Sequence, residues 1–445
     1  MFTLAMRSIA QRPGRFIATL LSTFLGAVVV MTFNSMHDTP SAPGIDALSK
    51  DTLTIAAGVV GGYGTFLVFF AVASTLTVNV RQRGEEIALL RRSGATPAQI
   101  KRMVVSEAAA VSVVGTLLAI GPAMLGGGRL LELFKDTDQV TAGVDFSFGP
   151  IATASGFGIT LVASVGAAFL AVRRATKAAA GGAKPRGRAR HFAGFAALAL
   201  GVGGVLSTFA MKKTDAALMA GPVYGAVLIS VGFAVFSPVL LKSLLGRLAR
   251  PLIALTGASG YLTVHNMRQR AAQLSGVLMP LILFIAISCA TLYMQAIQSD
   301  AAKASGISPT GEDKNIETLN YVVVGIIVVF ACVMLINSLY AATTYRIQEF
   351  GQQRLAGATS AQILGMVGLE SLILTVTGVF FATVAAVAGV IPFSMVRTDT
   401  ALPDQSPGIW LLVVGIGAAA TIVTSVGTAY RGLRVPAVEA VTLAA

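Results

Sequence analysis

Long apolar runs, each close to the length of a bilayer crossing, recur from one end of the chain to the other. A hydrocarbon core needs about 20 apolar residues in helix. Ten runs meet that need, at about 16–34, 54–79, 104–126, 151–172, 192–210, 217–241, 275–295, 321–343, 366–392 and 408–428. Little more than Met211-Lys-Lys-Thr-Asp215 separates the fifth from the sixth, which predicts a tight hairpin. The pattern predicts an all-α integral membrane protein with ten transmembrane helices. Prolines inside the runs (Pro122, Pro222, Pro238, Pro280, Pro392) are tolerable there, because neighbouring helices re-satisfy the backbone. Gly58, Gly61, Gly62 and Gly64 suit close helix–helix contact. The first run follows a basic start, as a signal peptide does. From Phe16 to Phe33 it is long enough to span and no cleavage site follows, so it is expected to be retained.

Composition agrees with the pattern. Of the 445 residues, 55% are hydrophobic and only 12% are charged, with a mean hydropathy of +0.77. Soluble domains carry roughly 25% charged residues. An ordinary cytosolic enzyme, a secreted domain and a disordered tail are thereby excluded. The charge present is lopsided, 33 Lys and Arg against 20 Asp and Glu, formally +13. A basic excess raises the question of nucleic acid, and its location answers it. With the N-terminus inside, cytoplasmic segments hold 25 of the 33 basic residues, and the outer loops hold 14 of the 20 acids. Basic residues gather on the cytoplasmic side of membrane proteins. The charge is therefore a topology signal that places both termini in the cytoplasm of a plasma or inner membrane, with lipid rather than nucleic acid as the surroundings. Cys289 and Cys332 lie inside apolar runs, and His37, His191 and His265 have no ligand spacing, so neither a disulfide framework nor a metal site is expected.

An internal repeat organises the chain. Gly94-Ala-Thr-Pro-Ala-Gln-Ile100 recurs as Gly357-Ala-Thr-Ser-Ala-Gln-Ile363, 263 residues later. At the same offset Arg83 matches Arg346, Glu86 matches Glu349, Arg91 matches Arg354, Met103 matches Met366 and Glu107 matches Glu370. Each copy sits in a short cytoplasmic connection between two spans. The chain thus divides into a first four-helix module at 1–177, a connector with spans five and six at 178–250, and a second four-helix module at 251–445. Because the inserted pair returns the chain to the inside, the modules have the same orientation, a parallel repeat forming a pseudo-dimer. Within each copy the glycine breaks a helix. Thr96 with Gln99, and Thr359 with Gln362, are placed to make a capping box, with Pro97 at the first helical position of the first copy. The expected result is a span reaching below the membrane, a sharp turn, and a short helix near the interface. Glu107 and Glu370 stand about one turn inside the third and ninth spans. Acids near the membrane are functional candidates, and a structural or coupling role is expected rather than proton transfer.

The run Arg83-x-x-Glu86-Ile-Ala-x-Leu90-Arg-x-x-Gly94-Ala-Thr-x-x-Gln99-Ile resembles the signature of FtsX-like ABC-transporter permeases, the group that includes the MacB and BceB types. Leu4-x-Met6-Arg7-x-x-x-x-Arg12-Pro13-x-Arg15 resembles that family's amphipathic lead-in helix, and Ala429-x-Arg431-x-x-x-x-Pro436-x-x-Glu439-Ala resembles the stretch that closes a module. The second copy of the signature departs from it at Gln352 and Gln353. In module one the closing stretch is decayed to Ala171-Val-Arg173-Arg-Ala-Thr-Lys177, with neither Pro nor Glu.

No Gly-x-x-x-x-Gly-Lys-Ser/Thr phosphate loop occurs in the sequence, so the chain is expected to be no enzyme itself and to bind no cofactor. The resemblance implies a separate cytoplasmic ABC ATPase, two copies per chain, holding ATP and Mg. It implies that Arg83–Met103 and Arg346–Met366 are coupling elements. Arg83, Glu86, Arg91, Arg346, Glu349 and Arg354 would form their polar contact surface, and Gly94 and Gly357 their turns. Motion rather than a central pore would then carry the work outward, a mechanotransmission. The outer loops, roughly 34–53, 127–150, 295–320 and 393–407, are too short to fold alone, whereas the best-known relatives carry a large external domain. Export or extraction of a hydrophobic or amphipathic compound, such as an antibiotic, peptide or lipid, is the leading expectation. The alternative is a regulatory permease that controls a cell-wall hydrolase or a sensor kinase.

Overall fold

A computed structural model describes residues 17–41, 84–136, 139–178, 187–213, 218–304 and 346–442, with scattered positions between 45 and 80 and Gly325. Among the described residues there is no strand. The helices are α1 (Ile17–Asp38), α2 (Gly84–Arg92), α3 (Pro97–Asp136), α4 (Pro150–Ala178), α5 (Gly187–Leu206), α6 (Ala220–Ala304), α7 (Ile347–Leu355), α8 (Ser360–Thr398), α9 (Gly408–Leu433) and α10 (Ala437–Thr442). Eight stretches within them are long and apolar enough to cross a bilayer. They match eight of the ten expected spans. The second is described only at scattered positions, and the eighth lies outside the described residues apart from Gly325. Large apolar side chains stay exposed along α3 and α9, Leu125 at 74% and Val423 at 69% among them. Only lipid hides such faces at low cost.

The described residues form two compact units, 17–178 in one, 187–304 with 346–442 in the other, so spans five and six belong with the second module. In the first unit α1 packs against both α3 and α4. A Cβ on Gly115 would strike the Thr23 hydroxyl, and one on Gly126 would lie 2.8 Å from that of Thr32, so α1 and α3 approach through small residues. The second unit repeats this packing 263 residues later. A Cβ on Gly378 would lie 2.5 Å from Leu281, and one on Gly389 would lie 3.1 Å from Met294. These are close approaches that the described residues make. Gly58 has open space beside it, and Gly61, Gly62 and Gly64 lie outside the described residues.

Three helices differ from the expected pattern. The turn after α2 leads into no separate interfacial helix. Instead α3 runs unbroken for 40 residues and its counterpart α8 for 39. At 1.5 Å per residue each is about 60 Å long, twice the hydrocarbon thickness. The reason is local: no Gly or Pro stands between Ala98 and Val114 to break the first of them. The 85-residue α6 joins spans six and seven. It cannot be straight, since Pro222 and Met294 both flank Gly389 and Arg268 donates to the Leu245 carbonyl at 3.4 Å. A straight helix would part Pro222 from Met294 by about 108 Å. The fold-back lies between Leu245 and Arg268, where Pro251 removes a helical hydrogen bond.

Several connections are tied back to the helices they join. The buried Asp38 carboxylate accepts the Ile151 and Ala152 amides at 3.1 and 2.8 Å, so the end of α1 caps the start of α4. Asp46 accepts from the Thr141 hydroxyl at 2.6 Å and the Ser49 amide at 3.0 Å; these bonds hold its carboxyl down at about 2. In the second unit Lys213, at the hairpin between spans five and six, pairs with Asp399, while Arg397 donates to the Lys213 carbonyl. The hairpin is thereby pinned to the C-terminal end of α8, and Phe233 meets Phe381 with ring centroids 5.4 Å apart.

Candidate functional site

The two repeated segments fold alike down to their hydrogen bonds. In the first, the Gly94 amide donates to Arg91 at 3.1 Å and the Ala95 amide to Leu90 at 2.9 Å. In the second, Gly357 donates to Arg354 at 3.0 Å and Ala358 to Gln353 at 2.9 Å. This paired closure of a helix end needs a left-handed residue, and Gly94 and Gly357 supply it with φ of 94° and 97°. The next helix is closed by the expected capping box. Thr96 accepts from the Gln99 amide at 3.3 Å while the Gln99 side chain accepts from the Thr96 amide at 2.8 Å. Thr359 and Gln362 do the same at 3.2 and 2.9 Å. A short helix, a left-handed turn and a capped long helix therefore occur twice.

Each element is anchored by one apolar side chain on either side of its turn. These are Ile87 and Ile100 in the first copy, Phe350 and Ile363 in the second, each 1–2% exposed. The tips are exposed: Gly94, Thr96, Pro97, Ala98 and Gln99 in one, Gly357, Thr359, Ser360, Ala361 and Gln362 in the other. The shape is a foot with a buried heel and a polar, solvent-facing toe.

The charged residues expected at the contact surface are distributed differently. Arg346 and Glu349 turn inward. Arg346 bridges Glu370 through both terminal nitrogens, one of them at 3.2 Å, and reaches Glu349 through Nε at 3.1 Å. Arg270, from α6, closes the set on Glu349 at 2.6 Å. The Arg346 and Glu370 side chains are only 12% and 7% exposed. Burial by itself would lower the Arg346 guanidinium, but Glu370 and Glu349 outweigh it and hold it above its ordinary value. The physical cause of the inward turn is Glu370. An acid ten residues inside α8 needs a nearby counter-charge, and the residue preceding α7 provides it. The network joins the lead-in stretch of span seven, the short helix and the long helix in one knot.

Arg354 also has an internal task. Its guanidinium donates to the Leu433 and Val435 carbonyls at 3.1 and 2.7 Å, which fixes the end of α9. Phe350, Ile363, Met366, Val367, Ala429 and Leu433 make one buried cluster beneath it. In the first copy Arg91 is half-buried on α2, and Glu107 is buried on α3. Lys101 lies 4.5 Å above the Phe169 ring. Glu86 falls on α2, and Arg83 lies outside the described residues. Sequence reasoning missed Arg270 and the buried pairs Ile87/Phe350 and Ile100/Ile363. The repeat carried a signal for one of them, since the isoleucine closing each Gly-Ala-Thr motif recurs with it.

A helical integral membrane protein bearing the same membrane-edge foot twice is the class that this geometry defines. The chain belongs to the FtsX-like permease family. The family model described as FtsX-like permease C-terminal matches residues 58–180 and again 321–437. The two matches begin 263 residues apart, the separation of the two turns. The chain is also similar to the pyoverdine export ATP-binding/permease protein PvdT of Pseudomonas fluorescens (strain Pf0-1), 28% identical over 132 residues. PvdT of Pseudomonas aeruginosa, strain PAO1 among its designations, is 31% identical over 132 residues. Each alignment covers 30% of this chain and 19% of the relative.

Proposed function

We propose that the chain is the membrane subunit of an ABC exporter, driven by a separate cytoplasmic ATPase that docks one copy at each foot. The observation that carries this reading is the duplicated foot itself. Two exposed tips of matching hydrogen-bond pattern, each rooted in a helix about 60 Å long, suit a part that is pushed at one end and acts at the other. ATP and Mg are held by the ATPase in this reading, and this chain supplies motion. The relatives named as export ATP-binding/permease proteins support the pairing of a permease with an ATP-binding part.

The tips Thr96–Gln99 and Thr359–Gln362 do the docking, since Arg346 and Glu349 are engaged inside. The cargo is a hydrophobic or amphipathic compound taken from the outer leaflet. Outer connections bound back through Asp38, Asp46 and Lys213 favour this over control of an external hydrolase. Native mass spectrometry of the chain co-expressed with each candidate ABC ATPase of its host tests the reading. A complex with two ATPase copies per chain is expected. Recovery of the chain alone from every combination contradicts it.

A further inference from the structure

The fold-back of α6 is basic and carries no acid, since no Asp or Glu lies between Asp215 and Asp300. Arg270 finds its counter-charge on the second foot, at Glu349. Lys242, Arg250 and Arg268 do not: all three are exposed and make no ion pair among the described residues.

The geometry gathers these three. Lys242, Gly246 and Arg250 stand four residues apart along α6, ahead of Pro251, so they share one helical face. Gly246 has no side chain, and the guanidinium of Arg268 takes that place. A Cβ on Gly246 would lie 3.4 Å from Nη2 of Arg268, and the same nitrogen donates to the Leu245 carbonyl at 3.4 Å. Fully buried Leu241 and Leu245 hold the opposite face. Three positive charges therefore follow one another along α6, each about one helical turn from the next. Like charges at this spacing repel, and an anion laid along the row relieves them.

The surroundings select the anion. The apolar stretch of this limb runs from Ala220 to Arg247, so Lys242 falls in its last turns and Arg250 just past it. Val239, three residues before Lys242, is exposed on the same face. Phe195, edge-on to Phe236 with ring centroids 4.9 Å apart, is exposed as well. A ligand seated here meets cations at the membrane edge and open apolar surface on the membrane side of them. A phospholipid has its phosphate and acyl chains in that order. Free phosphate would use only the row, and an acidic protein surface would leave the apolar part unused.

We propose that Lys242, Arg250 and Arg268, the last laid against Gly246, bind the phosphate of an anionic phospholipid on the side of the membrane that carries the second foot. Basic clusters at the ends of spanning helices bind such headgroups. The lipid holds the fold-back at the membrane surface, and with it Arg270, which reaches Glu349. The site needs a bilayer and no ATPase, so its failure is distinct from failure of the exporter reading.

Native mass spectrometry of the purified full chain, titrated separately with phosphatidylglycerol and phosphatidylcholine of the same acyl chains, tests the site. Phosphatidylglycerol is expected to bind at least about tenfold more tightly. Arg250→Gln with Arg268→Gln should bring the two lipids within about threefold of each other. Gly246→Leu keeps every charge but displaces the Arg268 guanidinium, and should cut the preference by at least about threefold. Arg431→Gln with Arg434→Gln removes the same charge from exposed positions at the end of α9 and should leave the preference intact. Equal binding of the two lipids by the unaltered chain overturns the proposal. So does an equal loss in the Arg431 and Arg434 variant, which would mean that charge alone is read. Displacement of phosphatidylglycerol by an equal concentration of inorganic phosphate would overturn the choice of a lipid. Equal lipid binding, with loss of a protein partner from the Arg250 and Arg268 variant, would assign the row to an acidic protein surface and overturn it too.

Discussion

Arg346→Ala is expected to be the most destabilising single change at either foot, by about 3–5 kcal/mol, because it strands buried carboxylates. Glu370 is 7% exposed on its side chain, and Arg346 is its direct ion-pair partner, reaching it with two nitrogens. Glu349 would keep Arg270 at 2.6 Å, so the loss falls mainly on Glu370. Removing both charges together, Arg346→Met with Glu370→Leu, should cost less than half as much. A well-filled apolar replacement avoids burying an unpaired ion. Thermal or denaturant unfolding in detergent measures both variants. Losses that simply add, with no recovery in the double variant, would show that the pair is not the unit argued for.

On the exporter reading proposed above, Gly94→Val together with Gly357→Val is expected to leave the protein in the membrane but abolish ATP-driven export. A β-branched residue at positive φ is a steric outlier, and φ is 94° and 97° at these positions. The strain is about 1–3 kcal/mol per turn. That shifts the population of each turn by about fivefold to 150-fold. The spans are untouched, since a Cβ at either glycine meets nothing within 4 Å and the penalty is one of backbone conformation only. Reconstituted vesicles holding the chain and its ATPase would show normal protein content and lost transport. Undiminished transport would mean that the turn geometry is not used.

The sequence announced whatever depends on neighbours along the chain. Apolar length gave the spans. The turns were legible because glycine, threonine and glutamine act on residues within three or four positions. The repeat made one reading support the other. The inward network was not legible, because Arg270, Arg346 and Glu370 come from separate stretches and nothing in their spacing says that they meet. For the same reason the acid of α8 stood without an evident partner until its counter-charge arrived from the residue ahead of α7. The fold-back of α6 was hidden differently. Lys242, Arg247 and Arg250 read as an ordinary cytoplasmic connection, yet helix continues through them and bends within itself. The packing of α10 along α7 was half visible. The closing stretch with Pro436 and Glu439 stood out beside its decayed counterpart, but the surface it covers is defined by Gly351, whose lack of a side chain carries no pattern of its own.

The central claim is that the two exposed tips are where a cytoplasmic ATPase meets this membrane protein. A photo-crosslinking amino acid placed at Ala98 and, separately, at its repeat partner Ala361 tests this most directly, with Ala142 and Leu402 on the outer connections as controls. All four positions are exposed. In membranes that contain the chain and its ATPase, both tips are predicted to crosslink to the ATPase and both outer positions to give no such product. Absence of ATPase adducts at both tips, in membranes where the ATPase is present and active, would contradict the account.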